Sequence, residues 1–178
     1  MNSVDMTTAD PLSAGLAHAE TDHAGTQSAT DAVIVLEGDF QRPLTISVDE
    51  LRSRPVVHTD PFNLRCFTTN RFIRSVDSYR GPLLRDLILQ AGLPKEPAGV
   101  FKRMVFIAVG HDGYAVTFSW HELFNTPVGE RVIVAHECGD KTLREEHGVP
   151  ILFSGADVFP APRHIKRLAR VIARVLTF

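Results

Sequence analysis

The sequence predicts an α+β domain with a mixed β-sheet, preceded by a disordered N-terminal tail. Three observations support this prediction. Apolar residues make up 44% and charged residues 22% of the 178 residues, which suits one packed domain. Short apolar runs are mixed with short helical patterns, without the strict rhythm of a doubly wound sheet. The opening stretch, by contrast, is rich in small and polar residues and has no strongly apolar run.

The predicted tail is residues 1–31, and the predicted folded domain is residues 32–178. The tail holds five acidic residues and no lysine or arginine, so the domain is net positive although the whole chain has a net charge of −2. This balance gives no reason to expect a nucleic-acid or membrane partner. The tail also lacks the basic and apolar regions of an export signal, so we expect a cytoplasmic protein with reduced cysteines.

The domain is predicted to open with two strands and a short helix. Residues 32–37 form a short apolar run, and residues 43–48 alternate apolar and polar side chains. Ser47 is suitably placed to cap a helix that Pro55 would stop.

A third strand and a longer helix come next. Residues 62–67 alternate again, which places Cys66 on the same face as the apolar residues Phe62 and Leu64. Leucines at core-facing spacing predict a helix that opens at Gly81 and Pro82 and ends before a second glycine.

The C-terminal half is predicted to consist mainly of strands. Apolar runs or alternating patterns mark residues 104–109, 114–118, 131–136 and 149–153, with a short helix at 120–124. The last segment is ambiguous, because its arginines recur at helical spacing while its apolar residues alternate. The interpretation we favour is a final strand from about Val171.

Cys66 is the first candidate for chemistry. Arg65, Asn70, Arg71 and Arg74 lie close to it in sequence. Cationic neighbours lower the pKa of a thiol and favour the thiolate, which ligates metals and attacks electrophiles. A buried cysteine that behaves as a small apolar residue is the alternative, and the local sequence leaves both open.

Two further groups of residues could bind a ligand. His136, Cys138 and His147 could supply three zinc ligands, although their spacing matches no standard zinc motif and a simple turn also explains Cys138. A basic cluster follows the Gly/Pro-rich loop that ends at Pro162. This cluster suits a phosphate or another compact anion, or it is a solvated basic face.

Four stretches, taken in order, resemble the molybdopterin-binding domain of the sulfite oxidase family. The resemblance runs from about residue 33 to residue 175. The four stretches are residues 35–51, 64–92, 112–118 and 146–168. They resemble the family's opening strands and helix, its cysteine strand and following helix, its Asp-Gly-Tyr hairpin, and its late His-Gly-x-Pro strand with a basic cofactor loop.

The resemblance implies an oxidoreductase with a molybdenum cofactor. It implies that Cys66 is the metal ligand and that Tyr114 lies near the reacting centre. An anionic substrate would need cationic donors, and Arg65, Asn70 and Arg71 are candidates for substrate or cofactor contacts because they flank Cys66.

The resemblance also implies a pterin-phosphate site at the basic cluster. Arg163, His164 and Lys166 match the family's cofactor loop. Two positions depart from the pattern, since Leu152 stands where an arginine is expected and Arg167 where a tryptophan is expected.

Oxygen-atom or electron transfer on a small substrate is therefore the leading hypothesis. A separate electron-transfer partner is expected, because the chain has no C-x-x-C-H haem motif and no flavin fingerprint. A non-catalytic relative that binds an anion or a protein is the alternative, favoured by Leu152. A redox protein that uses Cys66 without a metal is the third possibility.

Overall fold

The computed structural model describes residues 33–178, so the predicted tail lies outside the described residues. The described part is rich in strands, with few helices, as the α+β prediction requires. The strands are β1 Val33–Gly38, β2 Leu44–Ser47, β3 Val57–His58, β4 Phe62–Arg65, β5 Phe72–Val76, β6 Tyr79–Gly81, β7 Met104–Gly110, β8 Ala115–Ser119, β9 Val132–Ala135, β10 Glu137–Cys138, β11 Lys141–Thr142, β12 Ile151–Ser154, β13 His164–Ile165 and β14 Leu168–Val175. The helices are α1 Val48–Arg52, α2 Leu84–Ala91 and α3 Trp120–Asn125. None of these helices is long and apolar enough to cross a membrane.

The largest sheet has the strand order β2-β1-β14-β7-β8 and is mixed. β1 and β14 are parallel, whereas the other neighbours in this sheet are antiparallel. The C-terminal segment is thus a strand, as favoured from its alternating pattern, but it begins at Leu168 rather than near Val171. The earlier start has a physical reason, because the backbone from Leu168 onward finds hydrogen-bond partners along β7.

Two short helices begin at serine caps. Ser47 caps α1 and Ser119 caps α3, and in both helices a glutamate three residues later, Glu50 or Glu122, completes a capping box. The predicted cap at Ser47 is therefore confirmed. The longer helix α2 starts at Leu84 rather than at Gly81, because Gly81 belongs to β6 and pairs there with Val57.

The sheet β13-β12-β9 lies between two hydrophobic clusters, which explains the continuous apolar runs of β9 and β12. Every residue of these two strands is buried. Alternate side chains face opposite clusters: Val134 and Leu152 join the main core, whereas Ile151 and Phe153 join the second cluster. The β4–β5 hairpin and β6 pack on the second cluster. Cys66, the first candidate residue, lies between β4 and β5 and is therefore on this side of the sheet.

Gly81 allows β6 to lie close against β9. A Cβ atom at Gly81 would lie 2.0 Å from the Val134 carbonyl oxygen and 2.8 Å from the Ala135 Cα. Because these are backbone atoms, they cannot move aside as a flexible side chain could. Gly81 thereby fixes the distance between β9 and the strand that carries Tyr79.

We expect Gly81→Ala to lower the free energy of unfolding by about 2 kcal/mol, because the added methyl group overpacks two backbones. Urea denaturation measures the change. Arg80→Ala on the same strand is the matched control, since its exposed ion pair with Glu137 should contribute less than about 1 kcal/mol. Equal stability of wild type and Gly81→Ala would contradict this interpretation of the glycine.

Candidate functional site

Cys66 lies at the tip of the β4–β5 hairpin, held by backbone hydrogen bonds. Its N–H donates to the Arg71 carbonyl at 2.9 Å, and its own carbonyl accepts from the Asn70 N–H at 2.8 Å. Asn70 has a φ of 54°, in the left-handed region that asparagine tolerates. Arg65 ties the same turn, since its Nη1 donates to the Asn70 carbonyl at 3.0 Å.

Hydrogen bonds within this turn favour the Cys66 thiolate. The Thr69 side chain contributes most to lowering the pKa of the thiol, followed by the backbone N–H groups of Thr69 and Thr68. The charge of Arg71 adds a smaller effect in the same direction. The lowered pKa thus agrees with the sequence-based expectation, but its main cause is the threonines rather than the flanking arginines.

The inner face of the hairpin points toward the second hydrophobic cluster. Phe62 stacks on Phe153 with ring centroids 4.4 Å apart, and Leu64 is buried beside them. Cys66 follows β4 directly, next to the register shift between Leu64 and Arg65 in the pairing with β5.

Three side chains on this side of the molecule form a hydrogen-bonded chain. Arg74 Nη2 donates to the Tyr79 hydroxyl oxygen at 2.9 Å, and that hydroxyl lies 2.9 Å from His164 Nε2. A guanidinium has no acceptor, so the tyrosine oxygen accepts from Arg74, and the direction of its hydrogen bond with His164 depends on the tautomer of the histidine ring. Burial raises the pKa of Tyr79, which keeps the phenol protonated.

His164 is held in the neutral form. Burial lowers its pKa to about 4, and the nearby charges of Arg74 and Lys166 act in the same direction. The predicted cofactor contacts His164 and Lys166 therefore lie together, with Arg74 as a third group near them.

A cavity of about 460 Å³ lies beside this chain of hydrogen bonds, and we call it the basic cleft. Its ionisable lining residues come from β5, the β5–β6 connection, β6, the β10–β11 hairpin, the 145–147 turn and the β13–β14 connection. They are Arg74, Asp77, Tyr79, Cys138, Lys141, Glu146, His147 and Lys166. Gly148 makes room for one of them, since a Cβ there would lie 2.9 Å from the Cβ of Lys166.

Arg163 has a different environment from the one predicted. Its Nε donates to Asp157 at 2.7 Å and its Nη1 to Glu122 at 2.9 Å, while the guanidinium lies 4.5 Å from the centre of the Phe118 ring. The hydrogen bonds to Asp157 are the main cause of its raised pKa. Two carboxylates thus neutralise Arg163 and anchor the 155–163 loop, so its predicted contact with a phosphate stays a prediction.

Tyr114 lies in the β7–β8 connection, where it contacts the 155–163 loop rather than lining the basic cleft. It is about half exposed, and its hydroxyl donates to the Pro162 carbonyl at 2.7 Å. A second contact joins this loop to the hairpin tip, because Phe67 and Phe159 meet edge to face at 5.5 Å. The 155–163 loop therefore connects Tyr114 with the turn that carries Cys66.

The zinc hypothesis finds no support in residues 33–178. No three histidine, cysteine or acidic side chains among them lie together as metal ligands. Cys138 and His147 line the basic cleft, whereas His136 is buried and neither of its ring nitrogens has a hydrogen-bond partner among these residues. Burial and the charge of Asp77 raise the pKa of Cys138, which keeps it a thiol.

Sequence reasoning missed the roles of Arg74, Tyr79 and Lys141. Arg74 was visible only as a basic neighbour of Cys66. Arg74 precedes the buried Val76 by two residues in β5, and this spacing is a signal that could have placed Arg74 on the inner face.

Comparisons with known proteins agree with this description. A family model described as "Oxidoreductase molybdopterin binding domain" matches residues 23–172. A comparison with curated proteins finds no match. The fold is similar to the crystal structure of the sulfane dehydrogenase SoxCD from Paracoccus pantotrophus, with a TM-score of 0.56 and 17% sequence identity. The match covers 81% of this chain and 38% of that chain, so it spans well under half of the SoxCD chain.

Proposed function

The chain belongs to the oxidoreductase molybdopterin-binding domain family, whose cofactor is molybdopterin, and from this premise we propose a sulfite oxidase-type enzyme. It would carry out oxygen-atom or electron transfer on a small substrate. The observation that carries this proposal is a cysteine with a lowered pKa at the tip of a hairpin whose second strand, β5, lines a cleft with several cations.

Cys66 fits the role of metal ligand. A molybdenum centre prefers soft sulfur donors, and a ligating cysteine must first lose its proton. The turn residues Thr68 and Thr69 favour the deprotonated form through hydrogen bonds, and the side chain is partly accessible.

The basic cleft fits an anionic cofactor. Among residues 33–178, Arg74, Lys141 and Lys166 make no ion pair with a carboxylate within 4.0 Å. Unpaired cations in a cavity suit a phosphate group and its hydrogen-bond acceptors. Lys166 is the predicted pterin contact that lines this cleft.

The residues of this chain would bind and orient, while the bound molybdenum cofactor supplies the oxygen-atom and electron transfer. Arg71 and Arg65 lie on the turn beside Cys66 and would attract an anionic substrate. Electrons would leave to a separate partner protein.

One observation favours the alternative of a non-catalytic relative. Leu152, at the position where the family pattern has an arginine, is fully buried in the main core. A side chain there does not line the basic cleft. A cofactor bound in the basic cleft would therefore lack the arginine that the family pattern has at position 152, and this missing cation favours the non-catalytic alternative.

Metal analysis tests the proposal directly. We expect near-stoichiometric molybdenum by elemental mass spectrometry, and pterin fluorescence after oxidation, in full-length protein from a host that makes the cofactor. Protein that melts cooperatively but contains neither would refute the enzyme and favour the anion-binding relative.

A further inference from the structure

Large apolar side chains surround the turn that carries Cys66, and we call this group the tip patch. Its members are Phe67, Phe72, Val158 and Phe159. Phe67 is 62% exposed although it touches Phe159, itself 42% exposed, edge to face at 5.5 Å. Phe72 is also exposed and lies opposite Arg65, the residue before Cys66, in the pairing of β4 with β5. Two chain segments that are distant in sequence thus contribute to one apolar surface.

Exposed apolar residues are concentrated in this part of the molecule. Of the eleven large apolar residues that are exposed within residues 33–178, six lie on the β4–β5 hairpin, on the 155–163 loop or at Tyr114, which contacts that loop. Single exposed apolar residues are ordinary on a protein surface, whereas a group of them marks an interaction site. No member of the tip patch belongs to either hydrophobic cluster, so packing of the core does not account for these side chains.

The tip patch is held in place before any partner arrives. On the loop side, Arg163 Nε donates to Asp157 at 2.7 Å, and the Tyr114 hydroxyl donates to the Pro162 carbonyl at 2.7 Å. On the hairpin side, the hydrogen bonds within the turn fix the backbone next to Phe67. A surface that is already ordered loses little conformational entropy when a partner binds.

Positive charges flank the tip patch. Residues 61–76 contain three arginines and no acidic residue. Arg65 and Arg71 are exposed, and neither forms an ion pair with a carboxylate within 4.0 Å among residues 33–178. The acid on the loop side, Asp157, is neutralised by Arg163. The surface is therefore complementary to a partner that has acidic residues around an apolar centre.

We propose that the tip patch docks the redox protein that accepts electrons from this enzyme, and that this partner carries acidic residues around an apolar contact. The inference rests on the proposed function, because a partner bound beside Cys66 lies close to the redox centre only if Cys66 holds the molybdenum. Each encounter would oxidise the loaded enzyme by one electron and reduce the partner by one electron. Two encounters would complete the oxidation of one substrate molecule, whose added oxygen comes from water with release of two protons.

A small apolar contact with charged surroundings suits such a partner. Electron-transfer complexes have small and weak interfaces, because the partner must leave after each transfer. Opposite charges around the contact raise the rate of encounter without making the complex long-lived.

An NMR titration tests the docking surface. The probe is an acidic c-type cytochrome added to ¹⁵N-labelled full-length protein at low salt, and a basic c-type cytochrome is the matched probe of opposite charge. We expect saturable shifts at the amides of the tip patch and of Arg71 with the acidic cytochrome only. The affinity should fall about tenfold when the ionic strength rises from about 0.01 M to about 0.15 M, since exposed charges are then screened.

Phe67→Ser removes the apolar centre of the tip patch. We expect it to weaken the cytochrome complex about tenfold or more and to melt as cooperatively as wild type. Leu89→Ser is the matched control, because Leu89 is 54% exposed on α2 and outside the tip patch, and it should leave the affinity unchanged. If Phe67→Ser does not melt cooperatively, Val158→Ser takes its place, since this side chain is 89% exposed.

Electron transfer from loaded protein separates docking from redox chemistry without a known substrate. The protein is reduced with dithionite, freed of excess reductant and mixed with an oxidised acceptor in a stopped-flow instrument. Phe67→Ser should reduce the acidic cytochrome about tenfold more slowly than wild type. It should keep the wild-type rate with ferricyanide, a small acceptor that needs no docking surface.

The outcomes distinguish the docking surface from the proposed enzyme. No binding of the acidic cytochrome, equal binding of both cytochromes, or unchanged affinity in Phe67→Ser would overturn the docking surface. Self-association of the wild type that Phe67→Ser abolishes would also overturn it and assign the tip patch to a second copy of this chain. Absence of molybdenum from protein that binds the acidic cytochrome would refute the proposed enzyme instead.

Discussion

Cys66→Ser is expected to abolish molybdenum retention and turnover while leaving the fold intact. A serine hydroxyl does not ionise near neutral pH and offers a hard oxygen in place of a soft sulfur, so it is a poor substitute for a thiolate ligand. The cost in stability should be within about 0.5 kcal/mol, because residue 66 lies on a turn and outside both hydrophobic clusters. Elemental analysis, activity and a thermal melt of the same preparation measure the three effects.

Cys138→Ser is the matched control for this experiment. Cys138 is the other cysteine of the chain, it lines the basic cleft, and its raised pKa keeps it protonated. We therefore expect this variant to keep its metal and its activity. Full molybdenum content and wild-type turnover in Cys66→Ser would exclude Cys66 as the ligand.

The fold was predictable where the sequence pattern reflects burial. The apolar runs at residues 131–136 and 149–153 predicted the strands β9 and β12, and the serine at position 47 predicted the start of α1. The two-residue strands β3 and β13 were missed, because so short a segment has no period and its pairing depends on distant residues. The start of β14 was placed too late, because its ladder with β7 extends beyond the clearly alternating residues.

The candidate site was predictable only in part. Cys66 stood out because its basic neighbours lie close to it in sequence. The contact between Tyr79 and His164 joins residues 85 positions apart, and no local pattern encodes it. Arg163 stays a predicted phosphate contact, but sequence alone does not reveal its ion pairs with Asp157 and Glu122.

The stability of the folded chain is expected to fall as the pH drops from about 6.5 to about 4, through His164. The unfolded chain binds a proton on this ring near the ordinary pKa of about 6.5, whereas the folded chain binds it only near pH 4. Between these values the unfolded state holds more protons, so the free energy of unfolding rises with pH. The stabilisation is complete above about pH 6.5, is lost progressively on acidification, and amounts to about 3 kcal/mol.

His164→Gln separates this effect from other acid-sensitive groups. The buried His136, whose pKa is also lowered by burial, remains in both proteins, so its contribution cancels in the difference. We expect urea denaturation at a series of pH values to show a shallower slope between pH 4 and 6.5 in His164→Gln than in wild type. His111→Gln, at an exposed turn residue, should keep the wild-type slope. Direct titration of the wild-type His164 ring by NMR gives an independent check, and a midpoint near 6.5 would show that the ring is not held neutral by burial and the nearby cations.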